Sequence, residues 1–90
     1  MRIGRRYIIS GRVQGVGFRY FAEEAAQREG VRGWVRNLPD RSVEIAAEGE
    51  ADAMERFDRA VRAGPPGARV DRVDVNDAYP MAGETEFRIR

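Results

Sequence analysis

Ninety residues, 42% hydrophobic and 34% charged, are enough for one folded domain over residues 1–90 with a modest core, and too few for two. A formal net charge of +1 creates no field to attract nucleic acid or an anionic membrane, and no run approaches the length of a bilayer span. Cys, His and Lys are all missing, which removes disulfides, Cys nucleophiles, His bases, Lys Schiff bases, His- or Cys-built zinc sites and the Walker-A lysine. All 16 basic residues are Arg, whose chemistry is fixed charge and fork-shaped hydrogen-bond donation. Catalysis in such a chain must work by positioning and electrostatics. With no apolar leader and no cysteine the default expectation is a cytoplasmic location, and a monomer is the default for a domain of this size.

The first predicted strand covers about Arg5 to Val13, where Tyr7, Ile9 and Val13 alternate with more polar neighbours. The stretch from Ser10 to Arg19 joins that strand to a helix predicted from Phe18 to Glu29, marked by Phe18, Phe21, Ala22 and Ala25. Between them Gly11, Gly15 and Gly17 permit positive φ and close approach of the backbone to a ligand. A glycine-bearing turn that opens a helix gathers backbone N–H groups into a concavity that suits an anion. Arg19 in the first helical turn, beside the positive end of the macrodipole, is badly placed unless an anion sits between them. The pattern reads as a phosphate cradle. It is not a dinucleotide fingerprint, because Tyr20 stands where the third glycine belongs.

Gly30 ends the helix as a natural C′ residue, and a second strand runs from Val31 to Asn37. Leu38-Pro39-Asp40-Arg41 is a turn, followed by a third strand from Ser42 to Glu48 that Gly49 is expected to break. Met54, Phe57 and Val61 mark one face of a second helix, which Gly64-Pro65-Pro66-Gly67 terminates. A fourth strand runs from about Arg69 through Val73 and Val75, and Phe87 and Ile89 suggest a short last strand. The order β-α-β-β-α-β with an added tail strand is the split βαβ, ferredoxin-like arrangement. It predicts an α+β sandwich with an antiparallel sheet of four or five strands and two helices on one face.

Outside the cradle the candidates are weaker. Asn37 before a Leu-Pro turn is by itself a turn former, and an amide that can reach a phosphate or a water only if the fold brings it to the cradle. Asp71, Asp74 and Asp77 could be a metal cluster, but a solvated strand face accounts for them better. Glu24 and Arg28 read as an ordinary i, i+4 pair. Tyr7, Phe18, Phe21, Trp34 and Phe57 read as core and rim rather than as a base-stacking platform. The rival on the same fold, an RNA-binding module, calls for aromatics in the central strands, and the third strand has none.

The run Gly11-Arg-Val-Gln-Gly-Val-Gly-Phe-Arg19, with Gly33-Trp-Val-Arg-Asn37 and Ser42-Val-Glu44, resembles the acylphosphatase family. The segment Gly64 to Val73 and the ending Phe87-Arg-Ile-Arg90 are similar to that family's later segments, so the resemblance spans essentially the whole chain. It implies the acylphosphatase-like variant of the fold and hydrolysis of a small-molecule acyl phosphate to a carboxylate and inorganic phosphate. It implies that Arg19 holds the phosphate and that Asn37 orients the attacking water. The amides of Gln14, Gly15, Val16, Gly17 and Phe18 would complete the cradle, with no metal, cofactor, nucleic acid or membrane partner. Members of the family commonly carry Asp-Gly at the hairpin turn where this chain has Asp40-Arg41. Positive φ at Arg41 costs on the order of 1 kcal/mol, so a different turn geometry is expected here.

Overall fold

The structure is a computed structural model that describes residues 1–78 and 84–90. Its elements are β1 (Arg2–Arg12), α1 (Phe18–Glu29), β2 (Arg32–Asn37), β3 (Val43–Glu50), α2 (Ala51–Ala63), β4 (Arg69–Ala78) and β5 (Phe87–Ile89). They build one five-stranded sheet in the order β4-β1-β3-β2-β5, so each βαβ half brackets a strand of the other, as the split βαβ order requires. The expected antiparallel sheet holds for β1, β3, β2 and β4. The last strand differs: β5 runs parallel to β2 and makes the sheet mixed.

The register explains which side chains are buried. Tyr7, Ile9, Val43 and Ile45 point to the helix face and are fully buried, together with Val35 of β2. Small residues on α1 (Ala22, Ala25 and Ala26) and larger ones on α2 (Met54, Phe57 and Val61) complete this core. Phe57 packs edge-on against Tyr7 and, tilted, against Phe87, so the fifth strand closes the core although it is only three residues long. The helix α1 stops where expected: Gly30 takes φ 70° and the Val31 amide donates back to the Ala26 carbonyl at 2.8 Å. Gly49 does not break β3, which continues to Glu50 and passes directly into α2. Strand pairing with Ile3 and the need to seat Met54 beneath it keep Gly49 extended.

The other face of the sheet is polar but not simply wet. Glu44, in the middle of the central strand β3, is only 2% exposed. It accepts hydrogen bonds from Arg6 Nε at 2.5 Å and Arg36 Nε at 2.6 Å, one from each neighbouring strand. Burial opposes the charge, but the bonds from Arg36 and Arg6 outweigh it and hold the carboxyl below its ordinary range. Trp34 lies on this face between the guanidinium groups of Arg90 and Arg36, 4.5 and 5.2 Å from its ring centroid. It is half-buried and belongs to the rim rather than to the core.

Two surface readings need correction. Asp71, Asp74 and Asp77 do not share a solvated face. A register shift at Ser10/Gly11 leaves Asp71 out of the β1–β4 pairing, Asp74 lies opposite Ile8 on the polar face, and Asp77 lies opposite Arg5 on the helix side. Among the described residues no group of acidic side chains is arranged to hold a metal ion. Glu24 and Arg28 form no ion pair among the described residues; Arg28 lies 3.8 Å from Glu29, which takes Arg56 of α2 at 2.6 Å and ties the two helices together.

At Gly33 (φ 140°) an added Cβ would lie 1.9 Å from the Ala46 carbonyl oxygen of the adjacent strand. Gly33→Ala is expected to cost about 3 kcal/mol or more in urea unfolding; a loss under about 1 kcal/mol would show that the strands can part cheaply. For Glu44 the folded pKa is depressed, so its contribution is fully present above the unfolded carboxyl's pKa and is lost as pH falls through the folded value. The stability gap between wild type and Glu44→Gln should thus be widest near neutrality and close in acid, as followed by denaturation at a series of pH values.

Candidate active site

The chain leaves β1 through buried Val13 and turns through Gly15 and Gly17, at φ 75° and 78°, into the first turn of α1. Gly17 is the N-cap residue without a side-chain cap, and its carbonyl accepts the Phe21 amide at 3.0 Å. Among the described residues, the amides from Gly15 to Tyr20 have no protein acceptor, and the first turn of α1 holds no acidic side chain. A concave patch of unpaired N–H groups at a helix N-terminus suits an anion in both geometry and field.

These residues wall a small cavity of about 110 Å³, a size for a phosphoryl group and a water rather than a large ligand. Gln14, Gly15, Gly17, Phe18, Arg19 and Asn37 line it, with Val13 beneath and Tyr20 beside it. Every predicted site residue but one is therefore brought together. Val16 is the exception: its side chain packs against the hydrophobic core, leaving only its backbone toward the loop. Asn37 reaches the cavity because β2 ends beside the loop, the adjacency that its sequence context left open.

That adjacency has a specific fastening. The Gln14 Nε2 group donates one hydrogen bond to the Leu38 carbonyl and one to the Ser42 carbonyl, each 2.9 Å. Both of its protons are used, so the side chain clamps the loop to the β2–β3 hairpin and its amide nitrogen has nothing left for a ligand. Arg19 is half-buried, and its Nη1 donates to the Arg90 carbonyl at 3.3 Å. Arg90 is in turn fixed by its own amide bond to the Val35 carbonyl at 2.8 Å and by its stack on Trp34. The remaining guanidinium protons of Arg19 have no protein acceptor among the described residues.

The hairpin beside the site overturns the expected alternative geometry. The Arg41 amide donates to the Leu38 carbonyl at 3.1 Å, the Leu38 amide to the Ser42 carbonyl at 2.9 Å, and Arg41 itself takes φ 76°. This is a tight turn followed by one left-handed residue, the three-residue hairpin loop in which glycine is usual. Asp40 holds the strained form in place. Its Oδ1 accepts the Ser42 hydroxyl at 2.5 Å and the Ser42 amide at 3.0 Å, and those bonds keep its carboxyl below the ordinary range.

Sequence reasoning missed three features: the clamping role of the Gln14 side chain, the Arg90 carbonyl behind Arg19, and Tyr20, which is 68% exposed beside the cavity. Only Tyr20 carried a signal, as a large aromatic on the polar side of an amphipathic helix.

The fold and cavity define a small split-βαβ protein with a cavity walled by unpaired amides at its first strand–helix junction. The family model for acylphosphatase matches residues 5–89. An acylphosphatase of Anaeromyxobacter dehalogenans is 49% identical over 89 residues, covering 99% of this chain and 96% of that protein. The crystal structure of acylphosphatase from Bacillus subtilis superposes with a TM-score of 0.93 at 41% identity, covering 98% of each chain. An acylphosphatase from Coxiella burnetii gives a TM-score of 0.92 at 32% identity, over 99% of this chain and 93% of that one. The chain belongs to the acylphosphatase family and is a hydrolase acting on acyl phosphates.

Backbone strain is the expected lever at two positions. Space around Gly17 is open, so Gly17→Ala should cost only the left-handed backbone term, about 1 kcal/mol. Arg41→Gly should gain a similar amount, about 1 kcal/mol less glycine's unfolded-state entropy. Opposite shifts in the urea midpoint are the expected pair of results.

Proposed function

We propose that residues 1–90 act as one domain that hydrolyses a small-molecule acyl phosphate by direct attack of water, without metal or cofactor. The observation that carries this reading is that Arg19, Asn37 and the unpaired loop amides face one small cavity. The amides of Gln14 to Phe18 and the Arg19 fork hold the phosphate oxygens, with charge-assisted and bidentate bonds where charge accumulates. Asn37 accepts from the water and donates to a phosphate oxygen, and so holds the nucleophile in line. The water oxygen bonds to phosphorus as the bond from phosphorus to the acyl oxygen breaks, and the electron pair leaves with the carboxylate.

Neither end of that reaction needs a protein acid or base. A carboxylate is a good leaving group at neutral pH, and a loose phosphoryl transition state asks little activation of the water. The water's proton passes to a phosphate oxygen, giving inorganic phosphate. A chain whose cations are all arginine can supply what remains, which is charge and alignment. The absence of aromatics in β3 and a net charge of +1 support a reading without a nucleic-acid partner. No helix among the described residues is long and apolar enough to cross a membrane, and we take the working state to be a cytoplasmic monomer.

Metal-free hydrolysis of benzoyl phosphate tests the assignment. Arg19→Ala should lower kcat/KM by about 10³-fold and weaken phosphate binding, and Arg19→Lys should restore little, since a point charge cannot replace the fork. Asn37→Ala should lower kcat by about 10²-fold with phosphate affinity nearly unchanged. Equal losses in rate and phosphate binding for Asn37→Ala would remove the water-positioning role, and a rate that falls with chelator would overturn the site.

A further inference from the structure

A second depression adjoins the cradle. It is an open groove of about 420 Å³, with Gly11, Arg12 and Arg41 along it and Val13, Gln14 and Gly15 as the wall it shares with the cavity. Both arginines are exposed, and neither forms an ion pair among the described residues, although most arginines of this chain do. The two carboxylates beside them are already committed. Asp71, next to Gly11, is gripped by Arg69 at 2.9 and 3.3 Å, and Asp40 is turned onto Ser42.

Arg41 is also the one non-glycine residue with positive φ among the described residues. Glycine would take that backbone without strain. A long cation is instead held there, aimed along the groove's edge by a turn that Asp40, Ser42 and Gln14 all brace. Strain kept at the rim of a site points to a use for the side chain.

We propose that this groove receives the acyl portion of the substrate, and that Arg12 and Arg41 select acyl groups bearing a second negative charge. The inference rests on the phosphate-site reading above and adds the substrate class to it. Two exposed cations acting on a carboxylate remote from phosphorus favour ground state and transition state alike, so they act on KM rather than kcat. Their effect is several-fold rather than thousands-fold, because water and salt screen exposed pairs.

The test compares benzoyl phosphate with 4-carboxybenzoyl phosphate, which differ by one rigidly placed carboxylate. Wild type should favour the carboxylated substrate in kcat/KM. Arg12→Gln and Arg41→Gly should each lower that preference by about three- to fivefold, through KM, and the double variant should abolish it. Rising ionic strength should erase the wild-type preference, and Arg59→Gln on the exposed face of α2, with the same loss of charge, should leave it intact. Hydrolysis of both substrates with one ratio in wild type and the groove variants would overturn the proposal while leaving the phosphate site standing. Failure of wild type to hydrolyse benzoyl phosphate would bring down the underlying reading, and this inference with it.

Discussion

The two hydrogen bonds from the Gln14 amide to the Leu38 and Ser42 carbonyls fasten together two loops that meet at one end of the sheet. One is a glycine-rich loop with unpaired amides, and the other is a hairpin whose tip carries a strained arginine. Loops of this kind have little apolar surface to bury, so their relative position must come from directed polar contacts. Once Gln14 is anchored, the amides after it point into a defined space, and Asn37, one residue before Leu38, faces the same space. The cavity is thus a consequence of where the loop is tied as much as of the loop's own conformation.

Arginine chemistry organises the rest of the molecule in the same directed way. Buried Glu44 joins three strands through Arg6 and Arg36, Glu29 joins the helices through Arg56, and Asp58 braces α2 by accepting from the Tyr7 hydroxyl and from Arg62. Arg90 stacks on Trp34 and offers its carbonyl to Arg19, so the last strand reaches the site although it supplies no side chain to the cavity. A cation in the first turn of a helix opposes the macrodipole. Here the Arg90 carbonyl satisfies part of the Arg19 fork, and the remaining donors have no protein acceptor among the described residues. Fixed charge on a braced frame suits acyl-phosphate hydrolysis, whose leaving group asks for no proton.

How much was legible differs between the elements. Helix α1 could be read to the residue, because Gly17 and Gly30 bracket a clean helical period with the two left-handed residues that start and stop it. The β-α-β-β-α-β order and the grouping of the loop with Arg19 follow from local pattern alone. Gly49 misled because strand-breaking tendency is a local average, whereas the pairing with Ile3 is a tertiary contact. The aspartates of β4 looked like one face, although Asp74 and Asp77, three residues apart, fall on opposite faces by strand alternation, and a register shift that only the pairing with β1 reveals takes Asp71 out of the ladder.

By itself, then, the amino-acid sequence determined the class of fold, the place of the glycine-bearing loop that opens α1 and the chemistry that the missing residue types exclude, since these depend on residue type and on periods of two and 3.6. The tertiary structure decided the parallel pairing of β5, the clamping role of Gln14, the left-handed Arg41 and the meeting of Asn37 with the loop. Each of these is a contact between segments far apart in the chain, or a local strain that such contacts sustain. No local pattern encodes it, because its free energy exists only once the sheet has brought the segments together.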